Sequence, residues 1–225
     1  MHNLKLKVNK TTFVTPKNIK IDFDVVSPSD FTFKGGQHIN IMVGDNLVRP
    51  YSICSDPVNP SELSIVVSVG HEGSGSKYLK ELKKGAEVSA VGPAGKLSIK
   101  TPMKENLVFV ATGTGVCPFI ADLYELAAGK VLKNIKLYFG VINEEERFFI
   151  DELEEFRKVL PFFEYDLCLS KPSKEWQGNK GRVTEFVKFL APKDTQVYIC
   201  GHRDMVSEVK KLAIEAGVSE EDIIG

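Results

Sequence analysis

Four consecutive residues, Arg49-Pro50-Tyr51-Ser52, combine side chains that could bind a phosphate and an aromatic ring. Arg49 is the one arginine among residues 1–100, and its planar guanidinium can hold a phosphate through two parallel hydrogen bonds. On a strand, Tyr51 would share the face of Arg49 and could lie flat against a ring system, while Ser52 adds a hydroxyl. The alternative interpretation is a surface strand whose arginine forms an ordinary ion pair.

Two glycine-rich segments could each cradle a phosphate. The first, Gly70-His-Glu-Gly73-Ser-Gly75-Ser76, leads directly into a helical patch. The free amides at the start of a helix bind anions with the help of the helix dipole. Ser76 could cap that helix or contact the phosphate itself. The alternative for this segment is a plain flexible turn.

The second glycine-rich segment, Thr112-Gly113-Thr114-Gly115-Val-Cys-Pro118, follows an apolar strand at Leu107–Ala111. Ligands of parallel sheets bind at the carboxyl ends of the strands, and glycines there allow a pyrophosphate to come close to the backbone. Pro118 suits a first helical turn, but it stands where the G-x-G-x-x-G fingerprint has its third glycine. Spacing alone is therefore weak evidence for a dinucleotide loop.

A later strand end carries Cys200-Gly201 shortly before a helix. Gly201 leaves room for a flat ring, and Cys200 offers a polarizable thiol beside it, although a core position is the alternative for this cysteine. The four cysteines of the chain are widely spaced and contain no C-x-x-C pair. This spacing argues against a disulfide framework, a zinc site and an iron–sulfur cluster, so we expect no metal site.

The elements that must position these residues differ between the two halves of the chain. Strand-like alternation separated by turns, such as Gly44-Asp-Asn46, predicts six strands and one helical patch before residue 101. After that residue, strands alternate with helices, including a helix predicted at Val183–Leu190. The pattern predicts a closed antiparallel barrel domain over residues 1–101 and a doubly wound parallel-sheet α/β domain over residues 102–225.

Composition limits the classes of function. The 225 residues include 29 basic and 30 acidic side chains, and this balance excludes a strongly basic nucleic-acid-binding protein. Residues 1–100 nevertheless carry 13 basic and nine acidic side chains, a net charge of +4, and the rest of the chain carries −5. The absence of a long apolar run predicts no membrane span and no signal peptide. The lack of a disulfide framework among the cysteines fits a reducing compartment, so we expect a cytoplasmic protein.

The order and positions of the four motifs resemble the ferredoxin–NADP⁺ reductase superfamily, in its stand-alone bacterial form. The flavin domain of that superfamily carries R-x-Y-S and G-x-x-S, which Arg49–Ser52 and Gly73–Ser76 match. Its pyridine-nucleotide domain carries G-T-G-x-x-P and C-G, which Gly113–Pro118 and Cys200-Gly201 match. The resemblance covers nearly the whole chain. It implies a six-stranded antiparallel Greek-key FAD-binding barrel followed by an NAD(P)-binding α/β domain.

The resemblance also implies a role for each matched position. Ser52, near flavin N5, and Cys200, which borders the nicotinamide with Gly201, are the expected catalytic positions. Arg49 would neutralise the FAD diphosphate, and Tyr51 would stack on the isoalloxazine. The other implied cofactor-binding residues are Pro50, Gly73, Gly75, Ser76, Thr112, Gly113, Thr114, Gly115 and Pro118.

The stretch from Leu169 to Val183 resembles the loop around the adenosine ribose in that superfamily. Members that bind the 2′-phosphate of NADPH often place serine and arginine where Ser170 and Lys171 stand. Lys171 keeps the positive charge without the arginine fork, so the resemblance favours NADPH and leaves NADH open. Two features depart from the family pattern. Ile142 replaces an arginine of the Y-G-x-R segment, and the chain stops at Gly225 without the aromatic residue that covers the flavin in many members.

The implied activity is hydride transfer between NAD(P)H and FAD, followed by transfer of single electrons to a separate protein. A ferredoxin, a flavodoxin or an oxygenase component would serve as this acceptor, and the basic first hundred residues suit an acidic one. Two alternatives stay open. One is a reductase that uses free flavin as a substrate, and the other is a non-catalytic FAD electron-transfer subunit of a larger complex.

Overall fold

The computed structural model describes residues 1–44, 47–70 and 73–225. Asp45-Asn46 of a predicted turn and His71-Glu72 of the first glycine-rich segment lie outside the described residues. The chain divides into two compact units, Met1–Ser98 with Cys117–Glu125, and Ile99–Val116 with Leu126–Gly225. The domain boundary between residues 101 and 102 stays a prediction.

A six-stranded antiparallel sheet forms most of the first unit. Its elements are β1 (His2–Thr15), β2 (Asn18–Ser27), β3 (His38–Met42), β4 (Val48–Ser52), β5 (Glu62–Ser68), α1 (Ser74–Glu81) and β6 (Glu87–Ala94). The strand order is β4-β3-β6-β1-β2-β5. An isolated bridge between Ile53 and Ile65, rather than a continuous ladder, links the chain after β4 to β5. The predicted antiparallel barrel is confirmed in this barrel-like form.

Alternation along the strands explains how this sheet acquires its core. On β1, Leu4, Leu6 and Val8 are buried, whereas Lys5 and Lys7 between them are exposed. Successive side chains of a strand point to opposite faces, so this spacing places Leu4, Leu6 and Val8 on the inner face. Burial of each such side chain contributes roughly 1.5–3 kcal/mol.

A parallel six-stranded sheet forms the second unit. The elements that follow β6 are β7 (Asn106–Thr112), α2 (Cys117–Ala128), β8 (Asn134–Val141), α3 (Ile150–Val159), β9 (Phe163–Leu169), β10 (Asn179–Lys180), β11 (Thr195–Cys200), α4 (Arg203–Ala216) and β12 (Ile223–Ile224). The strand order is β10-β9-β8-β7-β11-β12, and every pair is parallel. The predicted parallel α/β sheet is confirmed. Among the described residues, none of the helices combines the length and the apolar character that crossing a membrane requires.

The helix predicted at Val183–Leu190 is wrong. Only Val183–Glu185 forms a short 3₁₀ turn. The backbone N–H of Lys188 donates to the Tyr138 hydroxyl at 3.2 Å, and Phe186 packs against the apolar core of the second unit. Contacts with the sheet therefore replace the local hydrogen bonds that would have continued the helix.

Helix α2 carries a buried carboxyl group. Asp122 is fully buried, and neither of its oxygens has a hydrogen-bond partner among the described residues. It packs against Gly35, where a Cβ would lie 2.6 Å from Asp122 Cα, while Glu125 accepts a hydrogen bond from Gly35 N at 2.8 Å. Burial raises the pKa of Asp122 well above its ordinary value, and the charge of Glu125 raises it further. Folding therefore shifts Asp122 towards its neutral form relative to an aspartate in the unfolded chain.

We expect replacement of Asp122 by asparagine to become relatively more stabilising as the pH rises. The unfolded chain releases this proton near pH ~4, whereas the folded chain keeps it to higher pH, so the wild type loses up to about 1.4 kcal/mol of stability per pH unit in that window. Asp122→Asn removes this loss. Urea unfolding of both proteins between about pH 4.5 and 7.5 measures the effect. A stability difference that stays constant across this range would contradict the assignment.

Candidate functional site

Arg49 and Tyr51 meet the start of helix α1 at Gly75. In the β3–β4 register, Arg49 pairs with Ile41 and Tyr51 pairs with Ile39, so the two side chains share one face of β4. A Cβ on Gly75 would lie 2.7 Å from the Tyr51 hydroxyl and 3.3 Å from Arg49 Cγ. A larger residue at this position would push the tyrosine away. Glycine therefore allows the arginine, the tyrosine ring and the first helical turn to come together.

The first turn of α1 leaves backbone amides available for an anion. Gly73 is the N-cap and makes no side-chain capping bond, and the Gly73 carbonyl accepts the first helical hydrogen bond from Lys77 N at 2.9 Å. The amides of the first turn have no partner within the helix. The Ser76 hydroxyl donates to the Ser68 carbonyl at 2.8 Å and so anchors the helix to β5. What Ser76 offers to a ligand is its backbone N–H.

The surroundings of Arg49 fit a diphosphate. Its guanidinium is exposed and donates to the Val48 carbonyl at 3.1 Å, and no carboxylate in the described part of the chain pairs with it. Pro50, also exposed, separates it from Tyr51. Burial raises the pKa of Tyr51 and the Arg49 charge partly offsets this, so the hydroxyl stays protonated at neutral pH. The exposed Arg49 guanidinium and the first-turn amides of α1 suit the diphosphate of FAD, and the flat Tyr51 ring suits its ring system.

Ser52 lies opposite His38 in the same β3–β4 register. Directly opposed residues on neighbouring strands have adjacent side chains on one face. His38 is half-buried, and a Cβ on Gly95 would come within 2.8 Å of its Nδ1. Burial lowers the pKa of His38 and favours the neutral imidazole. Sequence reasoning missed His38 because only the pairing of the strands brings it beside Ser52.

In the second unit, the segments that follow β7 and β11 pack closely against each other. A Cβ on Gly115 would meet the Cys200 carbonyl and would lie 2.8 Å from Gly201 Cα. Gly201 has φ +146°, and a Cβ there would meet the Thr112 hydroxyl. That hydroxyl accepts a hydrogen bond from His202 N at 3.0 Å. The structure thus brings the third and fourth sequence motifs, Thr112–Pro118 and Cys200-Gly201, together at one edge of the sheet.

The segment between these strand ends offers its backbone to a ligand. Gly113–Val116 forms a 3₁₀ turn in which Gly113 has φ +52°, a conformation that favours glycine. Gly113 and Thr114 are partly exposed, so they can contact a ligand. Pro118, in contrast, is buried in the first turn of α2, where its carbonyl accepts from Gly36 N at 3.2 Å. Pro118 therefore shapes the start of the helix.

Cys200 ends β11 and is partly buried. Burial raises the pKa of its thiol to about 11, so the thiol is protonated at neutral pH. A protonated thiol is a poor nucleophile but a soft, polarizable contact for a flat ring.

Ser170 and Lys171 extend from the carboxyl end of β9, at the same edge of the sheet. Both residues are exposed. Their backbone N–H groups donate to the carbonyls of Val141 at 3.1 Å and Ile142 at 2.7 Å, which fixes the segment beside the end of β8. The side chains of Ser170 and Lys171 remain accessible to a ligand. Among the described residues, no cluster of three or more histidine, cysteine or acidic side chains suits a metal ion.

Comparisons with known proteins assign the chain to a family. The model of the oxidoreductase FAD-binding domain matches residues 5–99, and that of the oxidoreductase NAD-binding domain matches residues 109–211. Ferredoxin–NADP reductase B of Sorangium cellulosum (strain So ce56) is 32% identical over 205 residues, which cover 86% of this chain and 84% of that protein. The chain belongs to the ferredoxin–NADP⁺ reductase superfamily. It is a flavoprotein oxidoreductase with FAD as its cofactor and NADPH or NADH as its nucleotide substrate.

Other members of this superfamily share the two-part organisation. The electron transfer component of toluate 1,2-dioxygenase from Pseudomonas putida is 29% identical over 209 residues, which cover 91% of this chain but only 61% of that protein. The crystal structure of a ferredoxin NADP⁺ reductase from Neisseria gonorrhoeae with bound FAD and NADP matches with a TM-score of 0.83 at 21% identity, over 96% of this chain and 92% of that one. The structural likeness shows the shared fold.

We expect Arg49→Ala to weaken FAD binding roughly 10- to 150-fold, because hydrogen bonds to a charged group contribute about 1.5–3 kcal/mol. The dissociation constant of Arg49→Lys should lie between those of Arg49→Ala and the wild type, since lysine keeps the charge but cannot form the two parallel hydrogen bonds of the guanidinium. FAD titration of the apoprotein, followed by flavin fluorescence, measures the three dissociation constants. Arg157→Ala, at an exposed arginine paired with Glu154 on α3, is the control and should bind FAD normally. Equal affinities for Arg49→Ala and the wild type would remove Arg49 from the site.

Proposed function

We propose that this flavoprotein passes hydride from NAD(P)H to FAD and then passes single electrons to a separate carrier protein. The observation that carries the proposal is the exposed Arg49, which has no acidic partner among the described residues and adjoins the uncapped first turn of α1. Such a donor set suits a diphosphate and would keep FAD on the protein as a resident group. When bound, FAD supplies the conversion between two-electron and one-electron transfer.

The residues of the first unit would hold and orient the flavin. Arg49 and the backbone amides of Gly73–Ser76 would bind the diphosphate. Pro50 would shape β4 between Arg49 and Tyr51. The protonated, half-buried Tyr51 would orient the ring system by stacking. Ser52 and the neutral imidazole of His38 are the neighbouring polar groups that would hold a proton beside the ring.

The residues of the second unit would bind the nicotinamide nucleotide. Gly113 and Thr114 would contact it through the exposed backbone of their turn, and the interlocked Thr112, Gly115 and Gly201 would keep that turn rigid. Cys200 would border the nicotinamide with its protonated thiol. At the adenosine end, the exposed Ser170 and Lys171 would meet the ribose, and the charge of Lys171 favours NADPH over NADH.

The proposed acceptor is an acidic one-electron carrier such as a ferredoxin, a flavodoxin or an oxygenase component. One relative is named a ferredoxin–NADP reductase, and another is named the electron transfer component of a dioxygenase. Both names support a separate acceptor protein. Charge supports an acidic one, since residues 1–100 carry a net +4. Four exposed lysines, which we call the α1 lysines, lie on α1 and in the turn after it. They are Lys77, Lys80, Lys83 and Lys84.

Anaerobic mixing of the FAD-loaded protein with each nucleotide tests the proposed hydride transfer. We expect NADPH to bleach the flavin absorption faster than NADH does, and ferredoxin to restore the absorption. Cys200→Ala should keep FAD bound and slow the bleaching about 10- to 100-fold, because a small misplacement of the reacting groups has an effect of that size. Cys168→Ala, which removes a buried thiol from the same sheet, is the matched control and should react normally.

Two outcomes of this experiment contradict the proposal. A purified protein that holds no FAD but reduces added flavin would instead be a free-flavin reductase. A protein that holds FAD which neither nucleotide bleaches would instead be a non-catalytic electron-transfer subunit.

We expect the double variant Lys80→Gln, Lys84→Gln to raise the KM for an acidic ferredoxin about 2- to 30-fold at low salt, because exposed charge pairs each contribute about 0.2–1 kcal/mol and steer association. The effect should shrink as salt screens the charges. Lys158→Gln with Lys211→Gln, on α3 and α4, makes the same change of charge elsewhere and should behave as the wild type. Ferricyanide, a small acceptor, should be reduced equally by all three proteins. A ferredoxin KM that is unaffected by salt and by the variant would exclude the α1 lysines as the docking surface.

A further inference from the structure

Two side-chain contacts join the turn after β8 to the loop after β9. The Glu144 carboxylate accepts the backbone N–H of Ser173 with its two oxygens at 3.0 and 3.3 Å. The Arg147 guanidinium lies over the Trp176 ring, 5.4 Å from the ring centroid. We call these four residues the brace.

The two side chains of the cation–π contact, Arg147 and Trp176, are also oriented within their own loops. Arg147 Nε donates to the Glu144 carbonyl at 2.9 Å, and Trp176 Nε1 donates to the Asn179 carbonyl at 3.2 Å. The indole packs directly on Gly178, where a Cβ would lie 2.8 Å from Trp176 Cε2. Because both partners are held before they meet, the contact between them loses little side-chain entropy.

The brace supports the one part of this loop that the sheet does not hold. The sheet holds the start of the loop through the amides of Ser170 and Lys171, and its end through β10 and the Gly181 N–H, which donates to the Leu169 carbonyl at 2.8 Å. The residues between these ends form no helix or strand. Connections of this kind are usually the mobile part of an α/β unit. Ser173 and Trp176 tie this stretch to the neighbouring turn.

We propose that the brace fixes the stretch from Ser173 to Trp176, which directly follows Ser170 and Lys171, and so shapes the loop for the adenosine end of the nucleotide, with Arg147 and Trp176 as positioning residues. The inference rests on the proposed function, which assigns nucleotide binding to this loop. The guanidinium of Arg147 is already engaged with Trp176 and the Glu144 carbonyl, whereas the Lys171 side chain is exposed. In this proposal Lys171, rather than Arg147, would contact a 2′-phosphate, and Arg147 would act through the loop.

The single tryptophan of the chain allows a direct test, because protein fluorescence excited at the indole band reports on Trp176 alone. The FAD-loaded protein is titrated with NADP⁺, NAD⁺ and 2′,5′-ADP. We expect Arg147→Ala to raise the dissociation constants about two- to fivefold, the range that corresponds to an exposed cation–π contact, and to raise the KM for NADPH in parallel. The kcat at saturating NADPH should stay at the wild-type value. Arg147→Lys should be intermediate, since it keeps a cation near the ring.

Two further variants separate the brace from general effects of charge and packing. Arg157→Ala removes an equally exposed arginine that is paired with Glu154 at 3.2 Å, and it should titrate as the wild type does. Trp176→Phe keeps a smaller aromatic face, and its KM for NADPH should rise less than that of Trp176→Ala.

The outcomes for the brace and for the proposed function can be distinguished. Dissociation constants in Arg147→Ala that equal those of the wild type would overturn the brace, as would a fall in kcat with KM unchanged. A wild-type flavin that neither nucleotide reduces would overturn the proposed function. If such a protein still bound NADP⁺, and bound it more weakly in Arg147→Ala, the brace would be supported.

Discussion

Close packing against a glycine is the constraint on which both candidate binding regions depend. In the first unit, Gly75 leaves the space into which Tyr51 and Arg49 pack. In the second, Gly115 lies directly against the Cys200 carbonyl. A side chain at either glycine would displace a neighbour that the proposed ligand contacts. Packing therefore orients the donors before any ligand arrives, which lowers the entropy lost on binding.

The polar side chains of the sequence motifs divide into structural and ligand-facing groups. The hydroxyl of Ser76 bonds to β5, and the hydroxyl of Thr112 accepts the N–H of His202. These groups fix the shape of the two regions. The guanidinium of Arg49 and the ammonium of Lys171 are left exposed. All residues of a motif can therefore match the family pattern although some of them stabilise the fold and others face the ligand.

Local charge matters more than net charge for each proposed contact. Residues 101–225 carry a net −5, yet Lys171 stands exposed at the strand edge where the nucleotide is proposed to bind. The acidic Glu144 of the neighbouring turn is directed to the Ser173 amide instead. Hydrogen bonding from its own backbone N–H and from Ser173 lowers the pKa of Glu144, so it remains charged in this contact at neutral pH.

Local patterns were sufficient to predict both sheets. They are the alternation of Leu4, Lys5 and Leu6 and the apolar run of β7, and they are local because the spacing of apolar residues along a strand decides which of its faces are buried. The sequence likewise placed the motifs at Thr112–Pro118 and Cys200-Gly201 at the ends of strands, but their contact was visible only in the folded structure. The pairing of His38 with Ser52, the burial of Asp122 and the stacking of Arg147 on Trp176 carry no such local signal. The helix predicted at Val183–Leu190 was wrong for the same reason, because the N–H of Lys188 donates to the distant Tyr138 hydroxyl. Local spacing fixes the type of an element, but strand register and contacts between distant residues exist only after the chain has folded.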